Sequence, residues 1–194
     1  MRKRSSVYPY LLCALFAALT AVCSQIIVPL PFTPVPINLA YLAVLVCGGV
    51  LGAKKGAVAM IVYILLGAVG APVFAGLSGG LGVLAGPTGG YIIGYLPMAA
   101  VMGFLAGKNT AARDKKTAKN IGLTILKGLP AVALGYAFGT AWFMVYSGTG
   151  LLTALLMCVV PFVPGDVLKI VAAGAICEAL RIPMRSMQGS FRDV

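Results

Sequence analysis

The sequence has no histidine and only four acidic residues, and 10% of its 194 side chains are charged. So small a polar inventory excludes a water-soluble globule. Without histidine or a CxxC pair there is no set of zinc ligands, and the chain is expected to hold no metal. Cys13, Cys23, Cys47, Cys158 and Cys177 all fall inside apolar runs and read as packing residues. No glycine-rich segment ends in G-K-[ST], and "GLGVLAG" misses the GxGxxG spacing, so the chain carries no nucleotide-binding motif of its own. No small-residue cleavage site follows the first apolar run, which is taken as a retained helix. Nor does any segment repeat at a fixed period, so the inverted repeats of many secondary transporters find no support.

What is present is apolar. Hydrophobic residues make up 60% of the chain, in several runs close to the roughly 20 residues that cross about 30 Å of hydrocarbon. The expected fold is an all-α membrane protein, a bundle of six transmembrane helices in a single membrane domain, 1–194. A basic tail (1–6) precedes the bundle (7–182), and a second tail (183–194) follows it. The six spans are predicted near 7–28, 37–53, 56–73, 91–106, 121–146 and 164–181. "PLPFTPVP" ends the first, because proline cannot continue a helix, and Lys54 and Lys55 mark a tight turn between the second and third.

The net charge of +11 raises the possibility of nucleic acid, but the cations sit between apolar runs and form no basic face, so no nucleic-acid partner is expected. Their arrangement reports topology. With both termini cytoplasmic and six crossings, 13 of the 15 cations lie inside: Arg2, Lys3, Arg4, Lys54, Lys55, Lys108, Arg113, Lys115, Lys116, Lys119, Arg181, Arg185 and Arg192. Lys127 is expected to snorkel from the fifth span toward the headgroups. A seventh crossing over 151–163 would export the C-terminal arginines, so that run is assigned to the outer leaflet as a short helix or re-entrant piece.

Only Lys169 remains, in "PFVPGDVLK". Asp166 and Lys169 share a helix face about 4.5 Å apart along the axis. Asp166 alone could cap the helix and meet the positive end of its dipole. A lysine there opposes the dipole, and a charge within the bilayer costs on the order of 2–3.5 kcal/mol. An exposed i, i+3 ion pair recovers only a few tenths of a kcal/mol. The pair therefore marks a ligand path from the outside, offering one acceptor and one donor to a cyclic urea, an amide or a zwitterion.

Between the third and fourth spans runs an extracellular loop of 18 residues, "FAGLSGGLGVLAGPTGGY", long for a passive turn and suited to a lid. Phe32, Phe74, Tyr91, Tyr95, Tyr146 and Phe162 gather toward outer helix ends, where an interfacial belt explains most of them. Tyr91, at the loop's end, could instead wall an apolar compartment. In the first helix, Ala14 and Ala18 form a small-xxx-small pair that allows close helix approach, within the bundle or by a partner.

"GAPVFAGLSGGLGVLAGPTGGYIIGY" at 70–95, "PFVPGDVLK" at 161–169, the "GVLGAKKG" turn and AxxxA in the first helix resemble the BioY family, the biotin-specific substrate-binding S-components of energy-coupling-factor (ECF) transporters. The resemblance spans about residues 10–182. It implies capture of biotin on the outer side, no covalent chemistry, no bound cofactor, and assembly with a transmembrane coupling protein and two cytoplasmic ATPase subunits. It also implies that Asp166 and Lys169 recognise the ureido ring, that Ala14 and Ala18 dock the partner, and that Tyr91, Ser78, Gly79, Thr88, Asn38 and Phe74 belong to the binding site. Ser78 stands where some members place asparagine, and "PVPINLAYL" replaces the family's usual run after the prolines. The alternatives are an S-component for another vitamin, a small intramembrane enzyme with Asp166 as base, and a structural helix-packing protein. The enzyme lacks the second poised group that acid–base work needs.

Overall fold

The computed structural model describes residues 7–107 and 117–190. The basic cluster Arg2–Arg4, the cations Lys108, Arg113, Lys115 and Lys116, and Arg192 lie outside them. The order of elements is α1 (Tyr8–Gln25), β1 (Ile27–Leu30), β2 (Thr33–Asn38), α2 (Ala40–Leu51), α3 (Ala53–Ala68), α4 (Leu81–Ala85), α5 (Gly89–Gly107), α6 (Thr117–Ser147), α7 (Leu151–Cys158) and α8 (Val163–Ser190). Among the described residues, three helical stretches, Tyr8–Gln25, Gly89–Ala106 and Thr124–Ser147, are long and apolar enough to cross a membrane. The pair α7 and α8, bent by 55°, makes up to a fourth.

The chain is mostly helical as expected, and the proline-rich stretch adds a strand pair to the bundle. Prolines that cannot continue a helix hold the chain extended instead, and β1 and β2 pair as an antiparallel hairpin, Ile27 opposite Asn38 and Leu30 opposite Thr33, with a register shift at Pro29. A two-stranded ribbon has only edges, so it tolerates the amide donors missing at Pro29, Pro34 and Pro36. Thr33 and Val35 of β2 turn inward and are buried, while Pro34 is exposed. The hairpin shortens the first and second predicted spans, which end at Gln25 and begin at Ala40. The turn between α2 and α3 is made by Gly52, at φ +80°, so Lys54 and Lys55 fall in the first turn of α3.

In lipid, helices associate through close packing more than through the hydrophobic effect, and small residues make that possible. Gly48 of α2 lies so near α5 that a Cβ there would come within 2.4 Å of the Ala99 carbonyl, and Gly90 of α5 has Trp142 of α6 in the same relation at 2.2 Å. Between these seams Met60, Met98 and Met102 are fully buried. Lys127 departs from its expected snorkelling: it is buried inside the bundle, next to Gly128, which faces Ile170 of α8. Cys13, Cys47, Cys158 and Cys177 are buried and unbridged, and Cys23 is partly buried and free.

Candidate functional site

A cavity of about 300 Å³ opens where α2, α3, α5, α6 and α8 meet the hairpin and the glycine loop, near the lower end of the roughly 300–1,000 Å³ usual for ligand pockets. One wall is aromatic. Tyr41 of α2 meets Tyr95 of α5 edge-on with ring centroids 5.7 Å apart, and Tyr63 of α3 meets Phe74 of the loop in the same way at 5.5 Å. The Tyr63 hydroxyl donates to the Val73 carbonyl. Such edge-to-face pairs contribute about 0.5–1.5 kcal/mol beyond area burial and hold the ring planes.

The charge lies beside Tyr41. Asp166 sits in the first turn of α8 and is 3% exposed. Its backbone N–H donates to the Phe162 carbonyl, and its carboxylate oxygens are engaged elsewhere. Lys169 Nζ donates to Oδ1 at 2.6 Å, and the hydroxyl of Tyr136, on α6, donates to Oδ2. The ammonium also lies 6.0 Å from the centroid of the Tyr41 ring, at the outer range of a cation–π contact. Side-chain bonds to Lys169 and Tyr136, rather than to first-turn amides, separate this carboxylate from a simple helix cap.

The loop and hairpin complete the enclosure. Asn38 Oδ1 accepts from the Ala40 N–H at 3.1 Å, which orients the amide. Ser78 pairs its backbone with Phe74 and donates its hydroxyl to the Ala75 carbonyl at 2.7 Å. The Thr88 carbonyl accepts from the amides of Tyr91 and Ile92 and starts α5. Tyr91 lays its ring along the cavity, while its hydroxyl reaches the Cys158 carbonyl at the end of α7.

Of the residues singled out from sequence, Asp166, Lys169, Tyr91, Ser78, Thr88, Asn38 and Phe74 line this one cavity. Gly79 is not in its lining; it packs against the Ala71 carbonyl, 2.3 Å from where a Cβ would be, and lets the loop lie on the end of α3. Ala14 and Ala18 are exposed on α1, beside exposed Leu11, Leu15 and Leu19. The interfacial belt accounts for fewer aromatics than expected, since Phe74, Tyr91, Tyr95 and Phe162 are buried around the cavity and only Phe32 and Tyr146 are exposed. Sequence reading missed Tyr63 and Tyr136. A phenol in mid-span was the available signal, because a hydroxyl in hydrocarbon needs a partner.

Apolar helices long enough to cross a bilayer, packed around a cavity that carries an ion pair, define a multi-pass membrane protein. The sequence matches the BioY family over residues 1–186, and the chain belongs to that family. It is 41% identical over 170 residues to the probable biotin transporter BioY of Pyrococcus horikoshii, covering 88% of this chain and 94% of that one. With the biotin transporter BioY of Rhizobium etli it shares 33% identity over 172 residues, covering 88% and 91%. A crystal structure of the S-component for biotin from an ECF-type ABC transporter superposes with a TM-score of 0.80 at 28% identity, covering 93% of this chain and 94% of that chain.

Proposed function

We propose that this chain is the biotin-binding S-component of an ECF-type transporter, and that it takes biotin from the outer side of the membrane without altering it covalently. The observation that carries this reading is the Asp166–Lys169 pair, its carboxylate buried, on the wall of a cavity rich in aromatic rings, in a chain of the BioY family. A cyclic urea has N–H beside C=O, which complements a carboxylate acceptor beside an ammonium donor. The aromatic wall suits the thiolane ring and the hydrocarbon tail. Asn38, Ser78 and Thr88 offer polar groups on the side of the loop and hairpin, and Tyr91 and Phe74 offer apolar faces.

The proposed topology has six crossings in one membrane domain, with both termini in the cytoplasm and the glycine loop outside. To the three long helices and the bent α7–α8 pair this adds α2 and α3. At 12 and 16 residues these helices reach only about 18 and 24 Å, so the hairpin beside α2 makes up part of the membrane thickness. The positive-inside distribution of cations supports this orientation. Ala14 and Ala18, exposed on α1, form the proposed docking face for a transmembrane coupling protein driven by two ATPase subunits.

The test is binding by the purified full-length chain. Biotin is expected to copurify, as read by mass spectrometry, and to bind at submicromolar concentration in equilibrium dialysis. Tight binding of a different vitamin with no binding of biotin would overturn the ligand assignment while leaving the family intact.

A further inference from the structure

We propose that Tyr136 is a positioning residue for ligand recognition, which acts by fixing the plane of the Asp166 carboxylate. This rests on the reading of the cavity as a biotin site. The torsion that turns an aspartate's carboxylate plane is broad and roughly two-fold, so a single hydrogen bond leaves that plane poorly defined. Lys169 engages Oδ1 from the same helix. Tyr136 engages Oδ2 from across the bundle. One bond on each oxygen, from donors on two different helices, fixes the plane.

Tyr136 is itself held in place. Its ring lies against Tyr41, with centroids 6.1 Å apart, and Tyr41 is clasped in turn by Tyr95. The neighbouring Gly135 is bare because the Tyr41 hydroxyl occupies the space beside it, 2.7 Å from where a Cβ would stand. Any larger residue at 135 would push on the rings that set Tyr136.

The bonding inventory gives the consequence for specificity. An ionised carboxylate has about four acceptor positions, and Lys169 and Tyr136 take one on each oxygen, leaving two. An ammonium has three donors, of which Asp166 takes one, leaving two. Each group thus has a partner within the chain, and the pair still accepts an N–H at Asp166 and a C=O at Lys169 without displacing either partner. Tyr136 makes this set of free positions face one way. Without its hydroxyl the carboxylate can turn toward Lys169 alone, and the preference for a ligand N–H is lost.

The experiment measures dissociation constants of the full-length chain in nanodiscs for biotin and for a biotin analogue methylated on the ureido nitrogens. Tyr136→Phe is expected to weaken biotin by about 10- to 100-fold, the range for a lost hydrogen bond to a charged group. The ratio of the analogue's constant to that of biotin should fall by at least tenfold, because binding of the methylated analogue depends little on the carboxylate plane. A merely structural role would weaken both ligands alike and leave the ratio unchanged, and that result overturns the proposal. Should Tyr136→Phe fail to fold, 3-fluorotyrosine at 136 keeps the shape and changes donor strength. A biotin constant shifted several-fold against an unmoved analogue then supports the proposal, and two unmoved constants overturn it. If the wild-type chain holds no biotin, the ligand assignment fails and this inference fails with it. Wild-type binding with an unchanged ratio removes the positioning role alone.

Discussion

A carboxylate that is 3% exposed in an apolar bundle is tolerable only with its charge matched, and Asp166 is matched by Lys169 at 2.6 Å and by the Tyr136 hydroxyl. Removing one member of a buried ion pair costs about 3–5 kcal/mol, because the other is left uncompensated, whereas removing both leaves no uncompensated charge. Lys169→Ala is therefore expected to lower the thermal unfolding midpoint of the purified chain more than Asp166→Ala combined with Lys169→Ala does. Both variants should lose high-affinity biotin binding, as dialysis would read. If the double variant were as stable as wild type and still bound biotin, the pair would have no part in recognition. A second residue-level test uses Gly135→Ala, whose methyl would press on the Tyr41 hydroxyl at 2.7 Å. Overpacking of this kind costs about 1–3 kcal/mol, and biotin affinity should fall with stability because Tyr41 forms part of the cavity wall. Asp166 and Lys169 were legible in the sequence because charges in an apolar run are anomalous by themselves. Tyr136 was not: a phenol in mid-span signals only that its hydroxyl needs a partner, and that partner lies 30 residues away in the chain.

Among the elements, the glycine loop is tethered at several points. Gln25, at the end of α1, donates its amide to the carbonyls of Val73 and Phe74 and accepts from the Leu77 N–H at 2.8 Å. The Gly80 N–H donates to the Gly67 carbonyl at 2.6 Å, and Trp142 of α6 donates its indole N–H to the Gly86 carbonyl at 2.9 Å. Between the last two anchors lies α4, five residues with none buried. Leu77 has φ +55°, a conformation costing about 1–2 kcal/mol for a residue with a side chain, and the Gln25 contact offsets that strain. Gln25→Leu should release the turn and speed biotin dissociation by roughly tenfold, about what a loss of 1.4 kcal/mol corresponds to. The chain's one tryptophan is hydrogen-bonded to this loop, so stopped-flow fluorescence from Trp142 measures the rate directly; an unchanged rate would remove Gln25 from the gate. The loop's importance could be read from its length and glycine content, as could the short apolar run that became α7. The hairpin could not, because four prolines in ten residues argue against a strand everywhere except in a ribbon with no central position.

Across the whole molecule, α1 joins the two surfaces on which the proposed function depends. Its Ala14 and Ala18 face outward with exposed leucines on either side, and about 9–16 Å along the same helix Ser24 lines the cavity while Gln25 holds the loop. A helix between the proposed docking face and the proposed gate is able to transmit a displacement. Ala14→Trp or Ala18→Trp would fill the shallow stripe that a partner helix needs without entering the cavity, whose lining contains neither residue. The expected outcome is a biotin dissociation constant within about twofold of wild type, a change below roughly 0.4 kcal/mol, together with loss of most uptake of labelled biotin in cells that coexpress the coupling protein and ATPases. Retained uptake would show that the partner approaches elsewhere, and lost binding would show that α1 packs inward at these alanines. The expected outcome would separate the proposed binding site, built from Asp166, Lys169 and the surrounding aromatics, from the proposed docking face, the exposed stripe of Ala14 and Ala18.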